Sequence, residues 1–438
     1  MDATADATAT TPTPELDRGA YVKTLVLAAL LGVPVAFAAV LFQTAIHDLI
    51  HFVWEYLPDE FGWDEPAWWY VILVPGLAGL LVAGAVRLPG HGGHSPLEGI
   101  AMGDVRPVHL VSILPAALAT LGLGLVLGPE APLIAIGLAM GALAVQMVGM
   151  GGTAGHLLVL AGAFAAIAAL FGGPLVAALL LFEMLAMSGM LPAKMMGAAL
   201  LPGFVAAGSG GLIFTGVAGW SGLHQQNLAL PGIPGYETVR IADLAWCGLV
   251  AVVVAFVVVA ARRAGFRVAR QAAVRPVPAL ALAGLLVGLL AVLFRGFADR
   301  PVDLVLFSGQ SEMPMLIAEG SAGVLLLLVV AKSLAYALSL GSGFRGGPVF
   351  PAIAIGTALA VAAADLLPGL AVTPAVATGV AAGVAAVLRA PFSAALLSSV
   401  LVGSAAVDVA PLSVLGAAVG VLTVVVLPDP KLAGTAEH

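Results

Sequence analysis

The 438-residue chain is 61% hydrophobic and only 9% charged, with a mean hydropathy of +1.10. That leaves too little polar surface to cover a soluble globule of this size, so the composition excludes a water-soluble enzyme or binding module and belongs in a bilayer. The net charge of −7 resides mainly in the N-terminal tail and connections, and shows no nucleic-acid-binding face.

In chain order, residues 1–20 are rich in Ala, Thr, Pro and Asp and lack the basic start and apolar core of a signal peptide. They read as a disordered cytoplasmic tail. Stretches long enough to cross roughly 30 Å of hydrocarbon run from Thr24 to Gln43, Ala67 to Val86, Ala242 to Ala261, Ala279 to Leu293 and Ala322 to Leu340. Other apolar stretches are shorter or broken by Gly and Pro, which suits segments that stop part-way across the membrane under protein or water cover. His91 and His94 lie three apart in a Gly-rich loop, but no third ligand clusters with them, so neither a metal nor a cofactor is expected. The only cysteine, Cys247, permits no intramolecular disulfide and reads as a buried structural thiol. Arg262, Arg263, Arg267, Arg270 and Arg275 form the densest basic cluster, predicted to be a loop that the positive-inside rule places in the cytoplasm. Lys332 interrupts an apolar segment, either reaching the cytoplasmic boundary along its stem or adding positive potential to an ion path. Asp243, Asp299 and Asp303 read as ordinary residues at helix ends or in connections.

A repeat organises these pieces. GPEAPLIAIG at Gly128 to Gly137 returns as GPVFPAIAIG at Gly347 to Gly356, and Ala161 to Leu181 lines up with Thr378 to Ser398, which makes Pro174 equivalent to Pro391. The expected architecture is an all-α integral membrane protein of two inverted-topology repeats with broken and re-entrant helices. Its parts are residues 21–214 and 236–427, joined by 215–235, with a short tail at 428–438. Pro129 and Pro348 suit the first helical position, which needs no backbone donor. Each helix then starts inside the membrane with N–H groups that attract negative charge. A small anion entering dry protein loses on the order of 20 kcal/mol of hydration by an idealised estimate. Several charge-assisted N–H contacts at roughly 1.5–3 kcal/mol each, with residual water, offset much of the smaller effective cost. Glu130 stands in the first turn of one such helix where the other copy has Val349. Its carboxylate can take an anion's place, and protonation would release it, which makes Glu130 the expected gate.

These residues resemble the CLC family of chloride channels and chloride/proton antiporters, from about Leu25 to Leu427. GPEAP at Gly128 resembles the family's G-R-E-G-P, with Glu130 on the gating glutamate. GSGFRGGPVFP at Gly341 resembles the stretch ending in G-x-F-x-P. GGPLVAALLLFEM and LRAPFSAALL resemble the helices after the A-P-L signatures, and PLEGI at Pro96, followed by Arg106-Pro107, resembles the segment after the first anion loop. The resemblance implies that the anion lies among Gly92, Gly93, Ser95, Gly128, Pro129, Ala131, Gly347, Pro348, Val349 and Phe350.

Several positions depart from the family pattern. Gly92 stands at the position of the family's anion-facing serine, and Ser95 substitutes only if the loop is rebuilt. Val349 replaces the motif phenylalanine with Phe350 one residue later, Pro129 and Ala131 replace Arg and Gly, and no tyrosine follows Tyr336. The inner glutamate of the antiporters falls on Met184, with Glu183 beside it either as the alternative carrier or as a structural residue at a helix end or subunit interface, so channel-like and proton-coupled behaviour both stay open. The resemblance further implies a homodimer with one path per subunit, a plasma-membrane location, chloride or another small monovalent anion as cargo, and protons as a possible second one. The tail after Leu427 is too short for the family's cytoplasmic nucleotide-binding modules. A fluoride-selective or other-anion/proton antiporter on this scaffold is the alternative. A membrane-embedded hydrolase using Ser209 or Ser342 is a remote one, and otherwise no enzyme is expected.

Overall fold

The computed structural model describes residues 18–99, 103, 105–188, 193–217, 230, 232–236 and 240–430. Residues 1–17 of the expected tail at 1–20, most of the connection at 215–235 and residues 431–438 of the expected tail at 428–438 lie outside them. Among the described residues the only β pairing is a single antiparallel bridge between Gly128 and Gly347; nearly everything else that is regular is helix. In the first half these are α1 (Arg18–His51), α2 (Leu57–Glu60), α3 (Trp68–Ala85), α4 (Leu110–Gly122), α5 (Glu130–Val148), α6 (Gly152–Phe171), α7 (Pro174–Ser188) and α8 (Ala193–Val217). In the second half they are α9 (Ile241–Ala272), α10 (Pro276–Ala298), α11 (Met313–Ala318), α12 (Ala322–Gly341), α13 (Val349–Leu366), α14 (Val372–Leu388), α15 (Pro391–Leu401) and α16 (Ala406–Val426). Among the described residues nine helices are long and apolar enough to span a bilayer; the protein is an integral membrane protein.

The sequence repeat is a repeat in space. α5 crosses α6 where Gly137 meets Gly162, and α13 crosses α14 where Gly356 meets Gly379, the same pair in each half. A Cβ on Gly137 would lie 2.4 Å from the Gly162 carbonyl oxygen, and one on Gly356 2.6 Å from that of Gly379. Lipid tails supply no hydrophobic drive between helices, so such close backbone approach is what holds them. α3 and α10 join the halves in the same way, with Gly284 against the Pro75 carbonyl.

Three boundaries differ from expectation. The helix that holds Arg262, Arg263, Arg267 and Arg270 runs on to Ala272, so only the last member, Arg275, of the predicted Arg loop lies beyond it. Arg and Ala are strong helix formers, and no proline intervenes before Pro276. Arg262 is buried against Asp429, 2.8 Å away. Helix α1 begins at Arg18, inside the stretch taken as tail. Pro129 and Pro348 sit one residue before the helices they precede, as caps and not as first helical residues.

Candidate functional site

The two repeats meet at the GP phrases. Gly128 N–H donates to the Gly347 carbonyl at 2.7 Å and Gly347 N–H returns a bond to Gly128 at 2.6 Å. This clamp brings the starts of α5 and α13 together inside the protein. Each start carries N–H groups that its own helix cannot satisfy. Two of those on α13 are used: Val349 and Phe350 N–H donate to Glu130 Oε1 at 3.1 and 2.9 Å. The carboxylate thus reaches from one repeat to the helix start of the other, fully buried, while its Oε2 has no partner among the described residues. Gly128 and Gly347 are the floor of this seat, since a Cβ on Gly347 would lie 1.8 Å from Oε2 and one on Gly128 2.3 Å away.

Cavities flank the seat. The larger, of about 260 Å³, is lined by Gln43, His47, Leu127, Pro129, Asp303 and Glu312 among others. The other is a narrow cleft of about 30 Å³, room for one or two water-sized occupants. It is lined by Gly92, Gly93, His94, Ala131, Arg345 and Gly346 among others. Pro129 faces one space and Ala131 the other, with Glu130 between them. α4 spans the gap, contributing Ile113 and Ala117 to the cleft and Leu121 to the cavity.

The expected anion residues separate into groups. Gly128, Pro129, Ala131, Gly347, Pro348, Val349 and Phe350 come together at the junction, and Gly92 and Gly93 line the cleft beside them. Residues 90–93 all have positive φ, from 50° at His91 to 99° at Gly90, a left-handed run that explains the glycines. Ser95 is not brought in: its hydroxyl accepts from Leu97 N–H and caps the turn at Pro96–Glu98, and it lines neither space. Phe350 turns its ring away onto Phe171, centroids 5.9 Å apart, so it serves the site through its backbone.

Glu183 lies elsewhere, tying α7 to the start of α15. Its two oxygens accept from Phe392 N–H at 3.0 Å, Ser393 N–H at 2.7 Å and the Ser393 hydroxyl. That is a helix cap delivered across the repeats. Lys332 does not reach the cytoplasmic boundary; its charge lies behind the wall of the larger cavity, where it acts on Asp303 and Glu312. Its ammonium is buried and lies 2.9–3.4 Å from the carbonyls of Leu304, Val305, Leu306 and Phe307, fixing the segment that forms one wall of the larger cavity. Burial raises the Asp303 and Glu312 carboxyls on that wall, both in the connection between spanning helices. The hydroxyls of Ser209 and Ser342 bond back to Ala206 and Leu338 of their own helices, as expected of hydroxyls without a catalytic partner.

Three contributors were missed in the sequence. Tyr336, fully buried, donates to the Pro348 carbonyl at 2.7 Å and pins the turn before α13. Ser112 accepts from Gly92 N–H at 3.0 Å and donates to the His109 carbonyl, holding the glycine loop. Arg345 enters the cleft. Tyr336 and Ser112 sit in ordinary helical patterns that give no signal. Arg345 was legible as a charge inside the GSGFRGGP phrase.

Two helix starts joined across a twofold repeat, with a buried carboxylate between two cavities, define the class: an all-helical integral membrane protein whose two halves meet at a polar junction. The chain belongs to the voltage gated chloride channel family, whose model matches residues 91–424. The members of this family are channels and transporters. The chain is 33% identical over 319 residues to YfeO of Salmonella newport, named as an ion-transport protein, covering 70% of this chain and 72% of that one. The YfeO protein of Salmonella schwarzengrund is 32% identical over the same span. Among solved structures, a slow cyanobacterial Cl−/H+ antiporter superposes with a TM-score of 0.77 at 19% identity, covering 93% of this chain and 96% of that one. A CLC-type fluoride/proton antiporter gives 0.67 at 19% identity with the same coverage, and a eukaryotic CLC transporter 0.70 at 18%, covering 92% and 72%. These structural likenesses show a CLC fold.

Proposed function

We propose that the chain moves chloride or a similar small monovalent anion between the cleft and the larger cavity, and that Glu130 is the gate. The observation that carries this reading is the carboxylate oxygen held by Val349 and Phe350 N–H. A group that accepts two main-chain bonds while carrying one negative charge marks the place where a dehydrated halide fits. No formal positive charge is needed there, which suits a seat that ions must also leave quickly. Chloride is the first choice of cargo, and fluoride and nitrate are its competitors.

The Arg-rich end of α9 contacts the Leu97 carbonyl through Arg262, so it shares a side with the glycine loop and the cleft. By the positive-inside rule that side is cytoplasmic, and the larger cavity opens outward from a plasma membrane. A homodimer with one path per subunit goes with this reading.

Conduction is passive in this proposal, because Met184 cannot relay a proton and both oxygens of Glu183 are spent on the start of α15. Purified protein in vesicles, followed with simultaneous pH and anion electrodes, tests it. An outward chloride gradient is expected to dissipate without moving protons uphill. Stoichiometric uphill proton movement overturns the passive reading, and the absence of flux for chloride, nitrate and fluoride overturns anion transport altogether.

A further inference from the structure

We propose that the guanidinium of Arg345 is an anion-recognition site at the cleft, the place where an ion is first held before it reaches the junction. The proposal rests on the transport reading above for the ion's onward path, but the site itself is built from its own observations. Arg345 lines the cleft together with Gly92, Gly93, Ala131 and Gly346. Its Nε is buried and has no hydrogen-bond partner among the described residues. Its remaining recorded bonds fix its position without neutralising it: Nη2 donates to the His91 carbonyl at 3.0 Å, and its main-chain N–H donates to Thr120 Oγ1 at 3.1 Å. None of the ion pairs among the described residues involves it, and the carboxylate that acts on it at longer range is Glu98. A buried cationic N–H with no acceptor, on a side chain that lines a cavity, is a donor awaiting one.

The geometry of Gly92 supports the same assignment. A Cβ at that position would lie 2.9 Å from Arg345 Nε and 3.3 Å from its Cγ. The arginine and Val86, whose Cγ1 would also lie 2.9 Å away, together fill the space that a side chain on residue 92 would need. At φ +75° the position is also closed to ordinary L side chains. A side-chain donor at residue 92 is disfavoured here, and the available donor comes from the opposite repeat, one residue ahead of Gly346-Gly347. The fixed charge gives this mouth a stronger hold on an anion than main-chain N–H groups alone provide.

The test uses the full-length protein purified in detergent, with chloride titrated calorimetrically, and the same protein in vesicles for flux. Arg345→Gln is expected to weaken chloride binding roughly ten-fold, the size that follows from removing one partly screened charge beside the ion. Because Arg345 also braces the His91 carbonyl, a second arm separates charge from bracing. In a Cys247→Ala background, Arg345→Cys is modified with a cationic or an anionic methanethiosulfonate; Cys247 is itself fully buried. Recovery of chloride affinity by the cationic adduct and not by the anionic one supports the site. Unchanged affinity in Arg345→Gln, or equal effects of the two adducts, overturns it. If affinity follows the charge at residue 345 while wild-type vesicles pass none of the three anions, the site stands and the transport reading falls.

Discussion

Replacing Glu130 with Gln is expected to raise anion flux at neutral pH and to flatten its dependence on pH. In the wild type the ionised carboxylate competes with the ion for Val349 and Phe350 N–H. Protonation weakens that hold, so flux should rise as pH falls. A carboxamide keeps the shape but gives up the charge, turning two charge-assisted bonds into two neutral ones. Charge-assisted bonds contribute roughly 1.5–3 kcal/mol and neutral ones roughly 0.5–1.5, so the seated state loses about 2 kcal/mol in all. That corresponds to roughly a thirty-fold gain in the released fraction. Flux measured in vesicles from pH 5 to 8 checks both the rise and the flattening. A variant whose flux still climbs steeply with acid would assign the pH response to another group.

Gly347→Ala is expected to produce a similar opening without touching any charge. The new methyl group would lie 1.8 Å from Glu130 Oε2, 2.5 Å from its Cδ and 2.8 Å from its Cβ, so the carboxylate must swing out and the start of α5 must give slightly. Gly347 does not have a positive φ, so alanine meets no penalty from φ there, and the larger part of the effect falls on the carboxylate. With the carboxylate displaced, an ion reaches the same N–H pair and can sit slightly farther out than a tethered oxygen. Flux at pH 8, where the wild type is most closed, should rise by about ten-fold or more. Two substitutions acting on one seat do not add, so combining Gly347→Ala with Glu130→Gln should give little beyond the stronger of the two. Full additivity would show that the methyl acts somewhere else.

Much of this was legible in the sequence, because the fold is written as a repeat and glycine and proline mark where backbones must touch or helices must begin. The equivalence of Gly137 with Gly356 and of Gly162 with Gly379 follows from the two aligned pairs of segments, whereas the Gly128/Gly347 clamp between the repeats was not written there. Composition placed the chain in a bilayer for a physical reason that needs no coordinates. What stayed hidden depends on side chains that reach across the repeats. Ser95 looked like a donor by its place in the loop, yet its nearest orphan N–H belongs to Leu97 and takes it. Lys332 read in part as a residue bound for the cytoplasmic boundary, but four carbonyls lie close enough to satisfy it inside the protein. Glu183 gave no sign of its target, since α15 lies some two hundred residues away in the chain and meets α7 only through the fold. The Arg cluster on α9 read as a loop because charge in an apolar chain resembles a break, whereas helix propensity carried the helix through it.

The central claim is that main-chain donors at the start of α13 are an anion seat which Glu130 occupies when closed. Anomalous scattering from the Glu130→Gln protein soaked in bromide tests it most directly. A bromide peak is expected within hydrogen-bonding distance of the Val349 and Phe350 N–H groups, with the carboxamide swung aside into the larger cavity. Bromide absent from those donors at saturating concentration, while it occupies other sites in the same crystals, would contradict it.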